Sequence, residues 1–380
     1  MILRSTCIFL FTLTFGVKVF SQAYDLPYKM VVGKNVSKNK KYFFVQNGSR
    51  TKMLAQKWNH DTLLVITAPE KKFNAASVHA VQNDKKIVAR ITFLKTREGL
   101  VARVDGKPVF EYHTTIANPP ADSPLYYQRS GFIHPLYSPS GAILTDDFPD
   151  GHVHQHAIFT AWANTTFRNE KIDFWNQHLQ TGTVAHGEVL EVTEGAIFGR
   201  LKVKLRHESK KFGTVLEEIW TITLYPFDDH FLFDLESEQK NITKDTLYLN
   251  QYIYGGLAFR GSKYWNPHSP AGKDSMHLIT SEGYTRIVAN HKKARYVSVF
   301  GTIKNSIQGV TVFDHPGNFR YPQSIRIHPD MPYWVYSPVV EGPFTINPGA
   351  TYHAKYRYCV FQEAPQSSLI EQVERNWKLF

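Results

Sequence analysis

The run DGHVHQHAIFTAW, residues 150–162, sets His152, His154 and His156 at every second position, just after the acidic pair Asp146 and Asp147. In an extended backbone alternate side chains leave on the same side, so the three imidazoles would share a face if the strand starts early enough. Such a face has two chemical uses. It can converge on a metal ion, or one imidazole, titrating near neutrality, can take or deliver a proton. A closed metal site would need a further ligand from elsewhere, and no HExxH or paired CxxC supplies one. Acid–base chemistry without a cofactor is the leading expectation. A divalent ion on the histidine segment is the lesser alternative.

Residues able to assist that chemistry recur along the chain. YYQRSGFIHPLYSPSG places Arg129, His134 and Tyr137 in a stretch punctuated by Pro and Gly. An arginine fork suits a carboxylate, although Arg129 could instead pair with Asp146 or Asp147 while His134 caps a turn. Tyr252, Tyr254 and Arg260 flank the pair Gly255-Gly256, where backbone can approach a ligand. Trp175, Asn176, His178 and His186 follow in one segment, and Asp314 and His315 close an alternating run. Each is more often structural than functional alone; together they gather His, Tyr and Arg at strand ends and loops.

This set suits removal of the proton α to a uronate carboxylate. That reaction needs a base, a cation to neutralise the enolate-like carboxylate, and an acid for the leaving oxygen. Glycoside hydrolysis asks instead for a matched carboxylate pair. Asp146 and Asp147 point to opposite sides of an extended chain, so the alternative pair is Asp147 with Glu218.

The elements that must hold these residues read as strands. Asp105-Gly106 between two alternating runs is a strong hairpin signal. Residues 188–239 supply four strand-like runs, and ATYHAKYRYCVFQ ends the series in strict alternation. Only SSLIEQVERNWKLF has helical spacing, with Leu369, Val373 and Trp377 on one face. So many strands with so little helix predict a large antiparallel β-sandwich with a short C-terminal helix. Residues 24–90 read as a β extension of unassigned role, and 91–380 as the sandwich that carries the site. No internal repeat or Gly-rich phosphate loop interrupts it.

Residues 1–23 read as a secretory leader, with Arg4, an apolar run from Ile8, and small residues at Ser21 and Ala23. No other stretch is long and apolar enough to span a membrane. Cleavage would remove Cys7 and leave Cys359 alone, excluding an internal disulfide in the mature chain and placing its stability in a large core. The 44 Lys and Arg against 33 Asp and Glu become 42 against 33 without the leader, a net +9. In an exported protein that balance favours an anionic glycan over nucleic acid as partner. The 26 Phe, 20 Tyr and 7 Trp serve strands and could also stack sugar rings. Oligomeric state is not legible.

Residues RSGFIHPLYSPSGAILTDDFPDGHVHQHAIFTAW, with DFW at 173–175, YGGLAFR at 254–260 and FDHPGNFRYP at 313–322, resemble an exported bacterial family labelled PmoA-like, or "methane oxygenase PmoA". The resemblance covers about residues 95–362. It implies a mutarotase-like β-supersandwich and a place among polysaccharide-degrading proteins. One branch is similar to dehydratases acting on terminal uronic acids of ulvan oligosaccharides. Carried over, the family's motifs fall on Arg129, His134, His152, His154, His156, Tyr254, Arg260 and His315. Many members have consecutive histidines where this chain has Gln155.

The expected protein is then a periplasmic or secreted carbon–oxygen lyase on acidic, sulfated oligosaccharides. His154, His156, Tyr254 and His134 are the expected catalytic residues. Arg129, Arg260, Trp175, His315 and His152 are expected to bind substrate. A glycoside hydrolase or a non-catalytic glycan binder is the alternative.

Overall fold

The alternation that marks the strands also fixes which face each one buries. Gly199–Ser209 alternates buried and half-buried side chains along its whole length, turning Leu201, Val203 and Leu205 to one side. Asp105 and Gly106, both with positive φ, close a two-residue turn between Gly99–Val104 and Lys107–His113. The computed structural model describes residues 23–31, 40–47, 52–68, 78–82, 87–272 and 276–380. The expected leader lies outside these except for Ala23.

Two eight-stranded sheets dominate. The first runs in the order Ile325–Ile327, Tyr333–Tyr336, Gly256–Arg260, Ile158–Ala161, Ile133–Leu136, Lys107–His113, Gly99–Val104 and Ile91–Lys95. The second runs Gly182–Thr193, Gly199–Ser209, Gly213–Tyr225, Phe231–Asn241, Thr351–Phe361, Ser306–Asp314, Tyr296–Ile303 and His277–Thr280. A four-stranded sheet of Glu170–Ile172, Thr165–Phe167, Leu247–Leu249 and Phe344–Ile346 accompanies them. The protein is an antiparallel all-β sandwich with a short C-terminal helix, as its sequence predicts.

The inner faces of the two large sheets meet through aromatic and polar contacts. Phe110 of the first sheet packs on Phe233 of the second at 5.3 Å between ring centroids, and Tyr112 meets Trp220 edge-on at 6.1 Å. Trp162 Nε1 donates to Gln239, Tyr336 Oη to the Val312 carbonyl, and Thr160 Oγ1 to Glu218. These contacts assign Ile158, Thr160, Leu257, Phe259, Trp334 and Tyr336 to the inner face. By the two-residue period, Phe159, Ala258, Arg260 and Tyr333 then belong to the outer face.

The outer face of the second sheet is covered by two further elements. One is a five-stranded N-terminal sheet, ordered Leu26–Val31, Thr62–Thr67, Lys52–Lys57, Tyr42–Asn47 and Val78–Gln82. The other is the helix Ser367–Trp377, whose buried face carries Leu369, Ile370, Val373 and Trp377. Together with Leu26 and Leu64 they enclose Leu232, Phe313 and Cys359 in a second apolar cluster. Beneath the helix Arg357 pairs with Asp234 at 2.6 and 2.9 Å and donates to Asn376, so all three charged or polar groups are satisfied on burial. Cys359 sits in that core, where burial pushes its thiol up to about 12.

Candidate functional site

The histidine segment does not lie in a strand. Phe148 and Gly151 have positive φ, and hydrogen bonds from His152 N to Pro149 O and from Gln155 N to His152 O fold it into successive turns; the strand begins only at Ile158. The three histidines therefore do not share one face, and the expected alternation is corrected by the Pro149 and Gly151 turns. His152 and His154 stay at the surface of the segment, and His156 turns inward.

Four imidazoles form a row over the outer face of the first sheet. His154 lies 5.6 Å from His152 and 6.0 Å from His178, and His152 lies 5.3 Å from His328, measured between ring centroids. Burial and neighbouring positive charge push His154 down to about 3 and His328 to about 4, and His152 below its ordinary value. These three are neutral at neutral pH; the His328 Nδ1 lone pair accepts from the Asp330 and Met331 backbone N–H groups, which leaves its proton on Nε2. Among the described residues no three His, Cys, Asp or Glu side chains are grouped to hold a metal ion.

His156 is fully buried. Its Nδ1 bonds Asp147 Oδ1 at 2.7 Å, and its Nε2 faces Gln177 Oε1 at 3.2 Å. Gln177 Nε2 donates to the Gln128 carbonyl, which fixes the oxygen toward His156. Acceptors on both ring nitrogens favour the imidazolium; burial, the larger influence, and the nearby Arg129 hold its pKa below the ordinary value. Out of reach of a substrate, His156 ties the segment to the loop of Gln177. His134, in the strand Ile133–Leu136, bonds Thr145 Oγ1 at 3.1 Å, and burial pushes it down to about 4. It supports the turn beneath the site.

Arg260 ends its strand on the outer face, wholly buried. Its Nη1 donates to Gln155 Oε1 at 2.9 Å and meets Met331 Sδ at 3.3 Å, while Nε and Nη2 have no partner among the described residues. Gln155, a departure from the resembled pattern, thus orients the guanidinium. Burial lowers Arg260 to about 10, against the attraction of Asp146, so it remains a cation at neutral pH. Burial in turn raises Asp146 to about 6 despite Arg260.

Tyr254 Oη donates to Asn176 Oδ1 at 2.9 Å, and Asn176 Nδ2 donates to Asp173 Oδ2 at 2.7 Å. Burial raises the Tyr254 phenol well above its ordinary range, so it is a proton donor rather than a base at rest. Its ring rests on Trp175 at 5.1 Å, and Trp175 rests on Phe159 at 4.6 Å.

Several expected roles change. Trp175 is 1% exposed and forms the floor under Tyr254, so no sugar ring reaches its face. Arg129 is equally sealed, donating to the Thr160 carbonyl and lying over Phe159 at 4.7 Å; it neither meets solvent nor ion-pairs with Asp146 or Asp147. His315 is on the opposite side of the sandwich, edge-on to Trp377 at 4.8 Å, because the strand that ends at Asp314 belongs to the second sheet. Gly255 and Gly256 serve packing rather than ligand approach: a Cβ on Gly256 would lie 2.3 Å from the Tyr336 carbonyl oxygen. Glu218 is sealed between the sheets, accepting from Thr160, His207, Trp220, Ser237 and Gln239, and is no partner for Asp147 in hydrolysis.

Sequence reading missed Gln177, His328 and Tyr333. RIHPDMPYW carried a signal for the last two, a histidine and a tyrosine bracketing two prolines at a strand entry.

The fold and site define an all-β sandwich protein whose outer face gathers neutral imidazoles beside a buried arginine. Residues 99–375 match the family described as "Family of unknown function (DUF6807)", and the chain belongs to that family. No curated protein matches it. Among solved structures the chain is similar to heparan sulfate lyase HepC from Pedobacter heparinus, at 9% identity and TM-score 0.34, over 75% of this chain and 38% of the lyase. It is similar to a galactose mutarotase related enzyme from Lactobacillus acidophilus at 7% identity and TM-score 0.36, over 73% of this chain and 99% of that one. A GH36 α-galactosidase AgaA from Geobacillus stearothermophilus gives 12% identity and TM-score 0.33, over 73% of this chain and 40% of the galactosidase. The chain thus spans well under half the length of the lyase and the galactosidase.

Proposed function

We propose that the protein is a carbon–oxygen lyase that removes water from the non-reducing-end uronic acid of an acidic oligosaccharide, after export to the periplasm or medium. The observation that carries the reading is Arg260. It is a buried cation whose Nε–Nη2 edge, the pair of parallel N–H groups that matches a carboxylate, has no partner among the described residues and lies within electrostatic range of the neutral His152. The basic balance of the chain and its likeness to ulvan oligosaccharide dehydratases support the substrate class.

In this reading Arg260 holds the uronate carboxylate. His154 takes the proton from C5, and the electron pair passes into the carboxylate as an enolate-like state stabilised by the guanidinium. Collapse of that state breaks the C4–O bond while Tyr254 delivers a proton to the departing oxygen. The substrate loses one water and gains a C4–C5 double bond. The proton on His154 then returns to the Tyr254 phenolate. The Asp173–Asn176 chain orients the phenol, and the Asp147–His156–Gln177 chain holds the segment that bears His154.

The test is kcat of His154→Ala and Tyr254→Phe on defined uronate-terminated oligosaccharides, with ultraviolet absorbance of the unsaturated product as readout. Each is expected to lose about 10²- to 10⁴-fold, the range for a positioned acid or base. Full activity in both variants refutes the assignment. Binding without turnover by the unmodified protein would make it a glycan-binding protein.

A further inference from the structure

We propose that Tyr333, which the sequence reading passed over, is the third donor of the carboxylate seat and adds to Arg260's preference for an anion. This rests on the reading of Arg260 as an anion seat, but not on the reaction that follows.

Tyr333 opens the strand Tyr333–Tyr336 and is the direct antiparallel partner of Arg260. Directly paired residues leave the sheet on the same face with Cβ atoms about 4.5–5.5 Å apart. That face is the outer one, since Trp334 and Tyr336 on either side of the alternation pack inward against Phe259 and the Val312 carbonyl. The Tyr333 ring stands edge-on to Trp175 at 6.4 Å, which fixes the phenol in the same layer as the floor of the site.

Its hydroxyl is buried and has no hydrogen-bond partner among the described residues. Buried polar atoms are nearly always paired, so one orphan asks for a reason. Here four orphaned atoms fall on three neighbouring side chains: Tyr333 Oη, Arg260 Nε and Nη2, and His152 Nδ1. Strand pairing sets Tyr333 beside Arg260, and both Tyr333 and His152 lie within electrostatic range of its guanidinium. Burial keeps the phenol protonated well beyond neutrality. Tyr333 therefore offers a hydrogen and no charge, and Arg260 offers two parallel hydrogens and a positive charge; the guanidinium has no acceptor, so a ligand that brings lone pairs and negative charge suits the group better than a neutral sugar hydroxyl. A planar carboxylate fits: two oxygens on the Nε–Nη2 edge, with the phenol hydrogen on a remaining lone pair.

The seat is closed to solvent by its own neighbours. Met331, whose sulfur meets Arg260 Nη1, and half-buried His152 must shift for a ligand to enter. Met331 is unbranched and flexible, and both residues stand in loops rather than strands.

The experiment is calorimetric titration of the whole protein and its Tyr333→Phe variant with sodium glucuronate and, separately, glucose, together with KM and kcat on a uronate-terminated oligosaccharide. Losing one hydrogen bond to a charged group is expected to weaken glucuronate about ten- to a hundredfold and raise KM alike. Glucose affinity and Tm should stay within error or, for Tm, rise slightly. Equal glucuronate affinity in the two proteins overturns the proposal and leaves the hydroxyl as a buried orphan. Absence of glucuronate binding by the unmodified protein overturns it as well. Tyr333-dependent glucuronate binding without turnover of any oligosaccharide would keep the seat and refute the lyase. Turnover indifferent to Tyr333→Phe would do the reverse.

Discussion

Glu218 separates structure from chemistry in this fold. Its carboxylate is wholly buried between the sheets and accepts from Thr160 Oγ1 at 2.8 Å, His207 Nε2 at 2.7 Å, Trp220 Nε1 at 2.7 Å, Ser237 Oγ at 2.5 Å and Gln239 Nε2 at 3.1 Å. Burial opposes its charge, but these donors hold its pKa below the ordinary carboxylate value. Glu218→Gln keeps the shape and replaces one acceptor oxygen with an N–H₂. The charge is lost, and the new N–H₂ faces groups that donate to the carboxylate in the native core. Removing one member of such a buried charged network costs about 3–5 kcal/mol. Unfolding entropy near 2.1 cal/mol/K per residue gives about 0.8 kcal/mol/K for a chain of this length. The melting temperature of Glu218→Gln should therefore fall by roughly 4–6 °C. Differential scanning calorimetry reads the shift, and the proposed lyase activity and glucuronate binding, assayed at 25 °C, read the site, which should be unchanged in the folded fraction. Loss of activity at an unchanged melting temperature would refute the reasoning and restore Glu218 as a reacting carboxylate.

Three further outcomes follow from the geometry. His315→Ala should lower the melting temperature by removing the contact with Trp377 and leave kcat and KM untouched, because the two lie across the sandwich from Tyr254. Cys359 should resist thiol-reactive reagents at neutral pH until the protein unfolds, since the thiol is buried and pushed up to about 12; labelling with and without denaturant, read by intact mass, checks this. His134 is held near 4 when folded and near 6.5 when unfolded, so the unfolded chain binds more protons in between. Its contribution to stability is present above about pH 6.5 and is lost as pH falls toward 4. Melting curves across that window should fall less steeply for His134→Gln.

The sequence carried the scaffold better than the site, for a physical reason. Local rules suffice for the Asp105-Gly106 hairpin, for the helix face of Leu369, Val373 and Trp377, and for Cys359 in an alternating strand. Glu218 was also within reach of such rules, because it shares its parity with Leu216, Trp220 and Ile222, which all face inward. In the histidine segment alternation in composition is not alternation in space, because Pro149 and Gly151 bend the chain before any strand forms. Trp175 misled because an aromatic fit to stack a sugar is equally fit to fill a floor. Tyr333 and Arg260 lie 73 positions apart and meet only through strand pairing, so no window of sequence contains the seat they form.

The measurement closest to the central claim is mass spectrometry of defined uronate-terminated, sulfated oligosaccharides after incubation with the purified protein. The account predicts a product lighter by one water, with new ultraviolet absorbance from an unsaturated uronate and no new reducing end. A shortened chain that has gained water, with no such absorbance, would contradict it and mark the protein as a hydrolase.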